Sequence, residues 1–314
     1  AMRELDVTGA NTPAIVPTAP ANMSGAASDS HLIALWLEQK ARRSQNTARV
    51  YEHEIGRFLE VVGKPLRAVT AQDVQRYMEH LERLELAPAS QARALSTVRS
   101  LFTFALKTGY VPFNVTQVIE MPKVANTTEF NFITRDDAQA LLEALRPRLR
   151  DYAIGALLLK TGLRVSECAS INLGDVYQDG SGHHGLKIIG KGQKVRRVKL
   201  TPDVLALLQA YVEETGRVWL DVDAPMFLNR FGERLSTVSI WKIVTAAAKE
   251  AGIAKRVTPH TLRHSFATLA VCGGATLAQV QAACGHSDIR TTQRYEHSAK
   301  ALADTASDYV RLAV

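Results

Sequence analysis

The stretch VTPHTLRHSF, residues 257–266, places three nitrogen-rich side chains within five positions of one another. They are His260, Arg263 and His264, and they follow Pro259, a residue type favoured in the first turn of a helix. A guanidinium donates hydrogen bonds in a rigid fork, and an imidazole can accept or donate a proton near neutral pH. Such a cluster could bind an anion and move protons beside it.

Other positions could supply partners for this cluster. Arg164 follows a glycine turn and stands three positions before Glu167. Lys191 lies between two glycines, and the stretch ACGHSDIRTTQRYEH contains His286 and Tyr295. Taken singly, each has a plain explanation, because an arginine or lysine on a loop is usually solvated. A histidine beside a glycine commonly caps a helix or packs.

Together these residue types match what displacement at a phosphodiester requires. Two guanidinium forks can hold the non-bridging oxygens, over which negative charge spreads. An imidazole can accept a proton, and a tyrosine, whose ordinary pKa is about 10, becomes a nucleophile when a neighbour removes its proton. A lysine can protonate the leaving oxygen. The sequence therefore contains each group that such a displacement needs.

The order of these residues resembles the tyrosine recombinase (phage integrase) family, and most of all its Xer and simple integrase members. The motifs TGLRVSE, GKG, HTLRHSFAT and GHSDIRTTQRYEH occur in the order typical of that family. The resemblance covers residues 31–314 in architecture, although its specific motifs lie in the second half of the chain. The catalytic residues that it implies are Arg164, Lys191, His260, Arg263, His286 and Tyr295.

The resemblance assigns a role to each of these residues. Arg164 and Arg263 clamp the scissile phosphate, and His286 adds a hydrogen bond to it. Tyr295 attacks the phosphorus and forms a 3′-phosphotyrosyl link, while His260 accepts the tyrosine proton and returns it in the reverse step. Because the covalent link keeps the energy of the broken bond, ATP is not expected. Because the cationic residues replace the metal that many nucleases use, neither a metal nor another cofactor is expected.

Three further residues support or complicate this assignment. Lys191 is expected to protonate the departing 5′ oxygen, but Lys194 in the same hairpin is a rival general acid. Glu167 is expected to orient Arg164. His264 is expected to pack or to donate a supporting hydrogen bond, with no part in the chemistry.

Three alternatives from other classes stay open at this stage. His260 and His264 have i, i+4 spacing, so with Cys284 or His286 they could form the zinc site of a hydrolase. The acidic residue of the zincin motif is missing, since Thr261 follows the first histidine. A catalytically silent DNA-binding protein would not need the whole residue set. A type IB-like DNA topoisomerase uses the same nucleophile, but a two-domain chain with a helical N-terminal unit favours recombination.

Composition agrees with a DNA-acting protein. The chain has 314 residues and a net charge of +7, which fits two domains and a polyanionic partner. Hydrophobic residues make up 46% of the chain, so a disordered protein is excluded. The apolar run AIGALLL, residues 153–159, is far shorter than the roughly 20 residues that a membrane span needs. We expect no membrane association and a cytoplasmic, nucleoid-associated protein.

Helical periodicity and turn residues predict the domain organisation. We expect a flexible tail over 1–30, a four-helix core-binding (SAM-like) domain over 31–110, a linker over 111–132, and a catalytic domain with a C-terminal tail helix over 133–314. Residues 186–200 are predicted to form a β-hairpin across Gly190 to Lys194. The expected fold class is therefore mainly α with a small β-hairpin or sheet in the catalytic domain, arranged as a two-domain DNA clamp.

The resemblance also implies partners. Double-stranded DNA carrying a recombination site is the substrate, and five arginines of the N-terminal domain could face it: Arg42, Arg43, Arg49, Arg93 and Arg99. A cyclic tetramer on two DNA sites is expected, in which residues 301–314 dock on a neighbouring catalytic domain; folding back on the same domain is the alternative. An accessory protein or a partner recombinase could also take part.

Overall fold

The structure, a computed structural model, describes residues 22–42, 44–123, 131–190, 195–286 and 292. Contacts divide the chain into two compact parts, Ala1–Asn126 and Thr127–Val314, here called the first and second parts. The described residues are mainly α-helical with one small sheet. The predicted mainly-α fold class with a small sheet is thus confirmed.

Among its described residues, the first part contains four helices: α1 Asp29–Ala41, α2 Gln45–Val62, α3 Ala71–Arg83 and α4 Pro88–Lys107. Short 3₁₀ turns follow α2 and α4, at Leu66–Ala68 and Val115–Val118. The helices bury a common core that includes Trp36, Phe58, Tyr77 and Phe102. The ring of Phe58 meets the rings of Tyr77 and Phe102 edge-on, an arrangement that aromatic pairs favour.

The starts of α1, α2 and α3 can be read from their capping residues. Ser28, Ser44 and Thr70 accept hydrogen bonds from backbone N–H groups in the first turns of α1, α2 and α3. Asp73 completes a capping box with Thr70. A hydrogen bond from Lys64, then one from the backbone of Thr70, lower the pKa of Asp73 to about 2. This buried carboxylate therefore fixes the entry of α3.

In the structure, elements of the first part extend beyond the predicted range 31–110. The helix α1 begins at Asp29, directly after its cap Ser28, and Asp29 accepts hydrogen bonds from the Tyr110 hydroxyl and the Leu66 amide. Ala26 is also buried in the core. At the other end, the first half of the predicted linker packs on the same core, since Val115 is buried. The contact-based division between the two parts falls within the remaining stretch of that linker.

The second part contains seven described helices and three strands. In chain order they are α5 Arg135–Leu145, α6 Leu149–Thr161, α7 Val165–Ser170, β1 Val176–Gln178, β2 His184–Ile189, β3 Val195–Lys199, α8 Pro202–Glu214, α9 Thr237–Glu250, α10 Pro259–Cys272 and α11 Leu277–Cys284. The central helix is α6, which packs against α5, α8 and α10. Leu157 and Leu158 of α6 are fully buried. The apolar run in α6 is therefore core, and no helix in the described ranges is long and apolar enough to cross a membrane.

The sheet is antiparallel with the order β1-β2-β3. Strands β2 and β3 are the predicted pair. Strand β1 was not predicted, because three residues are too few to show an alternating pattern. Its turn back to β2 is fixed by Asp179, whose side chain accepts hydrogen bonds from the Ser181 and His183 amides.

Candidate active site

The turn between α6 and α7 delivers the first predicted site residue. Gly162 ends α6 in the left-handed conformation, at φ 63°, where glycine is favoured. A Cβ at this position would collide with the ring of Phe266 in α10. The close approach of the two helices therefore requires glycine. Two residues later, Arg164 is the N-cap residue of α7, with its side chain 42% exposed.

Glu167 accepts hydrogen bonds from two arginines of the site. Its Oε1 accepts from Nη1 of Arg164 at 2.9 Å and from Nη1 of Arg196 at 2.7 Å. Its Oε2 accepts from the backbone N–H of Arg164 at 2.7 Å and from Nη2 of Arg196 at 2.8 Å. Burial alone would raise the pKa of Glu167, but hydrogen bonds from Arg196, then from Arg164, lower it to about 2. The carboxylate is thus charged and accepts from both the backbone and the guanidinium of Arg164.

The helix α10 presents the cluster from which the site was inferred. Thr258 caps the helix and accepts from the Thr261 amide. Arg263, one turn into the helix, is 3% exposed. It donates from Nη1 to the Gly162 carbonyl at 2.6 Å and from Nη2 to the Cys284 carbonyl at 2.5 Å. Arg263 therefore ties the ends of α6 and α11 together.

The carbonyl groups at the end of α11 accept from side chains of different elements. Arg196 Nε donates to Ala283 at 3.0 Å, Arg263 to Cys284, and Arg164 Nη2 to Gly285 at 3.4 Å. The last carbonyls of a helix lack intrahelical partners and carry partial negative charge. Three guanidinium groups from α7, β3 and α10 therefore converge on one helix end.

Three neutral histidines complete the described site. The ring centroids of His260 and His264 lie 4.2 Å apart, with the planes at 73°. Burial, and then the nearby His260 and Arg263, lower the pKa of His264 to about 4. Burial, and then Arg263 and Arg164, lower the pKa of His286 to about 4. The same three causes lower the pKa of His260 below its ordinary value. Each ring is therefore neutral at pH 7 and can accept a proton.

His286 is held at the end of α11. Its backbone carbonyl accepts from Gln281 Nε2 at 3.2 Å. Its Nδ1 lies 3.0 Å from the hydroxyl oxygen of Thr292, which is fully buried. In the sequence, Thr292 stands three positions before Tyr295.

The structure brings together Arg164, Glu167, Arg263 and His286 by direct contacts around the end of α11. It also places His260 and His264 on the same helix as Arg263. Lys191, its rival Lys194, and Tyr295 lie outside the described residues. A cavity of about 410 Å³ lies between α7, with its N-cap Arg164, and the end of β2. It is lined by Arg164, Ser166, Glu167, Ser170, Ile189 and Gly190.

Arg196 is the site residue that the sequence reasoning missed. In the run VRRVKL, Val198 and Leu200 are the buried positions of alternation, and Arg196 has the same parity. An arginine at an inward-facing strand position needs a buried acidic partner. That parity was the available signal, and Glu167 was the partner to look for.

The predicted DNA-facing arginines of the first part have different surroundings. Arg42 and Arg93 are exposed and pair with Glu38 at 2.8 Å and Glu54 at 3.5 Å. Arg49 is exposed on α2. Arg43 lies outside the described residues.

The prediction that Arg99 faces DNA is not supported by its contacts. Its Nη2 donates to the Thr116 carbonyl at 3.0 Å and to the Ile119 carbonyl at 2.7 Å. The guanidinium thereby fixes the 3₁₀ turn that follows α4. Its charge serves the fold of the first part.

The zinc alternative finds no support in the donor geometry. Across the part of the chain that the structure describes, no three His, Cys, Asp or Glu side chains are grouped as metal ligands. The rings of His260 and His264 meet edge-on. Cys284, a proposed third ligand, is buried, and its carbonyl accepts from Arg263.

Comparisons match this chain to known proteins over most of its length. A model of the Phage integrase family matches residues 131–301, and a model of the Phage integrase N-terminal SAM-like domain matches residues 31–109. Tyrosine recombinase XerD of Bifidobacterium longum is 34% identical over 270 residues, which cover 80% of this chain and 86% of that protein.

Two solved structures share the fold. The XerH site-specific recombinase bound to palindromic difH substrate, a post-cleavage complex, has a TM-score of 0.72 at 23% identity and covers 88% of this chain and 83% of its own. A lambda integrase tetramer bound to a Holliday junction has a TM-score of 0.68 at 18% identity and covers 87% of this chain and 78% of its own.

Proposed function

This chain belongs to the phage integrase family and is a tyrosine recombinase, and we propose that it cleaves and rejoins DNA at specific sites through a 3′-phosphotyrosyl intermediate. The observation that carries the proposed chemistry is the convergence of Arg164 and Arg263 on neighbouring carbonyls of one helix end. Each terminal nitrogen of a guanidinium carries two N–H groups, so a nitrogen that donates to one of these carbonyls keeps a second donor for a phosphate oxygen. A scissile phosphate that enters beside the end of α11 meets both forks and His286.

In the proposed cleavage step, the Tyr295 oxygen attacks the phosphorus while the bond to the 5′ oxygen breaks. His260, neutral at pH 7, accepts the tyrosine proton, and Lys191 protonates the departing 5′ oxygen; Lys194 is the alternative donor. The two arginines stabilise the charge that spreads over the non-bridging oxygens. A 5′ hydroxyl from a second strand then attacks the phosphotyrosine and reverses the step. No group outside the chain and the DNA is consumed.

His264 has a supporting role in this proposal. It is half-buried behind His260, and its low pKa keeps it neutral while His260 takes the proton. A second cationic ring at a centroid distance of 4.2 Å would oppose that protonation. His264 therefore helps His260 to act as a base.

Covalent trapping in cells tests the proposal. Protein is recovered under denaturing conditions, and the DNA that stays attached is sequenced to its covalent end. The proposal expects one recurrent site with the protein on a 3′ phosphate. Ends scattered over the genome, or a 5′ attachment, would contradict it. The recovered site then serves as the substrate for every later experiment.

Assembly is a second element of the proposal. We propose a cyclic tetramer on two DNA sites, with residues 301–314 docked on a neighbouring catalytic domain; these residues lie outside the described ranges. Lambda integrase, which shares this fold, has been solved as a tetramer bound to a Holliday junction, and this supports the tetramer. Deletion of 301–314 should keep half-site binding and remove strand exchange. Parental recombination by the truncated protein would show that the segment does not act between copies.

The cellular role that we propose is either Xer-like resolution of chromosome dimers or integration and excision of a mobile element. Either role places the protein with the DNA in the cytoplasm. A topoisomerase differs in a measurable way, because it relaxes supercoiled plasmid of any sequence. Relaxation of a plasmid that lacks the recovered site would favour that alternative.

A further inference from the structure

We propose that Arg196 is a positioning residue for the cleavage step: it holds Glu167, and through it Arg164, against the end of α11. The inference rests on the proposed function, since Arg164 matters here as a phosphate ligand.

Arg196 occupies a position of β3 whose strand neighbours are buried and apolar. It pairs with Ile188 across β2 and β3, next to the pair of Leu186 and Val198. These three neighbours are buried. Placing a charge there costs free energy unless it is paired, and an apolar side chain would satisfy the strand. The arginine is therefore not needed to form the sheet.

Arg196 donates a hydrogen bond from each of its three side-chain nitrogens. Nε donates to the Ala283 carbonyl at 3.0 Å, and the two terminal nitrogens donate to the two oxygens of Glu167 at 2.7 and 2.8 Å. The side chain is 14% exposed. Arg164, in contrast, is 42% exposed and reaches the Gly285 carbonyl only at 3.4 Å. Arg196 is thus the fixed arginine of the pair, and Arg164 is the one that can turn to phosphate.

Sharing the carboxylate has a consequence for Arg164. If Arg196 were absent, Glu167 would keep its charge with Arg164 as its one side-chain donor among the described contacts. The attraction would then draw the Arg164 fork toward Glu167 and away from the end of α11. Because Arg196 donates to both carboxylate oxygens of Glu167, Arg164 donates to Glu167 from only one side-chain nitrogen, Nη1. Nη2 of Arg164 can then turn to phosphate.

Gly285 gives independent support. It ends α11 at φ 64°, and a Cβ there would lie 3.0 Å from Cδ of Arg196 and 3.2 Å from its Nε. The backbone of α11 and the stem of Arg196 therefore pack without room for another atom. That packing ties β3 to the helix end that carries His286. It also fixes the strands that flank Lys191 with respect to Arg164.

The test compares Arg196→Met with Arg197→Met. Arg197 is the neighbouring residue, exposed, with its guanidinium 5.7 Å from the centre of the Tyr177 ring. Each variant is mixed with saturating duplex that carries the recovered site, and the rate of covalent adduct formation is measured beside half-site affinity and melting temperature. We expect Arg196→Met to lose on the order of 10²-fold in adduct rate, as a misplacement of about 1 Å does, with affinity retained. Arg197→Met should cleave at the wild-type rate.

A double-mutant comparison separates positioning from a general structural role. Arg196→Met is introduced into Glu167→Gln, and the adduct rates of both single variants and the double variant are compared. If Arg196 acts through Glu167, the second substitution adds little to the first. Fully additive losses, or an Arg196→Met rate equal to that of Arg197→Met, would overturn the proposal.

A conservative pair keeps the test decisive if the methionine variant does not fold. Arg196→Lys retains the charge but can contact one oxygen at a time, so it should fall between wild type and Arg196→Met and below Arg197→Lys. An Arg196→Lys rate equal to that of Arg197→Lys would also overturn the proposal. Failure of the wild-type protein to form any adduct would instead refute the proposed function.

Discussion

The imidazole of His264 lies edge-on against that of His260, with the ring centroids 4.2 Å apart. On one face of α10, the neutral ring of His264 therefore packs against the ring of His260, which is proposed to accept the tyrosine proton. Burial sets the low pKa of His264, and the cationic neighbourhood lowers it further. The low pKa of His264 thus has two consequences. It keeps a neutral ring beside the proposed base at pH 7, and it makes the stability of the fold depend on pH.

The first prediction concerns the stability that follows from this titration. The pKa of histidine is about 6.5 in an unfolded chain, and that of His264 is about 4 in the folded one. Between these pH values the unfolded state binds more protons, so stability is full above pH 6.5 and falls as the pH drops toward 4. His264→Asn should make the free energy of unfolding less dependent on pH in this window.

Urea unfolding at several pH values between 4 and 7 measures this effect. His31→Asn, at an exposed position on α1, controls for the loss of a histidine as such. His286 continues to titrate in the variant, so the slope should decrease and not vanish. An unchanged slope in His264→Asn would contradict the assignment.

The second prediction concerns Arg263. In Arg263→Lys the charge remains, but one ammonium cannot span the carbonyls of Gly162 and Cys284 and a phosphate as well. We expect the adduct rate to fall by on the order of 10²–10³, the usual cost of removing one preorganised donor. Half-site affinity should change much less.

The control for Arg263→Lys is Arg146→Lys, an exposed position that pairs with Glu143 at 3.4 Å. Its adduct rate should equal that of the wild type. Equal rates in both lysine variants would show that charge alone suffices at position 263. The proposed bidentate clamp would then be wrong.

The third prediction isolates a packing requirement at the site. Gly162 and Gly252 both have positive φ, 63° and 69°, but a Cβ at Gly162 would strike Phe266 whereas Gly252 has no atom within 4 Å of that position. Alanine in this conformation costs roughly 1–2 kcal/mol at either site. Gly162→Ala should lose further stability from the collision, and also adduct rate, because the Gly162 carbonyl is bound to Arg263.

Thermal unfolding of the two alanine variants gives the comparison within one part of the chain. Removing the obstacle should restore stability, so the double variant Gly162→Ala, Phe266→Ala should lose less than the sum of its single losses. Equal melting temperatures for Gly162→Ala and Gly252→Ala would exclude the proposed contact.

The fourth prediction concerns the grip on DNA. If phosphate contacts dominate, the logarithm of the association constant should fall linearly with the logarithm of salt concentration, by about 0.9 for each phosphate neutralised. Titration of fluorescent duplex at several salt concentrations gives the slope. Arg49→Ala, on an exposed face of α2, should reduce the slope, whereas Arg99→Gln should act on stability. A slope near zero would contradict binding through the DNA backbone.

The elements of this fold were largely predictable because they are local. A helix such as α3 is indicated in the sequence by its capping residue, Thr70, and by apolar residues at helical spacing. Strand β1 was missed because it has only three residues. The start of α1 was placed too late, although its cap Ser28 was a local signal. Residues 22–28 have a loop composition, yet Ala26 is buried in the hydrophobic core of the first part.

The residues of the site could be predicted from the sequence, but the hydrogen bonds that join them could not. Arg164, Arg263 and His286 follow from motif and chemistry, and they do meet at one helix end. The sequence could not show that the meeting point is a run of backbone carbonyls, since carbonyl groups have no sequence signature. Arg196 was missed for the same reason: its partners Glu167 and Ala283 belong to other elements, and only the strand alternation pointed inward.

The central claim is that Tyr295 is the nucleophile of a metal-independent cleavage, and one gel tests it. Wild type and Tyr295→Phe are incubated, with excess chelator, on a nicked duplex of the recovered site that releases a short fragment after cleavage and so traps the adduct. Denaturing electrophoresis should show a protein–DNA adduct for wild type and none for Tyr295→Phe, although both bind the duplex equally. An adduct that persists in Tyr295→Phe, or a wild-type adduct that needs added metal, would contradict the account.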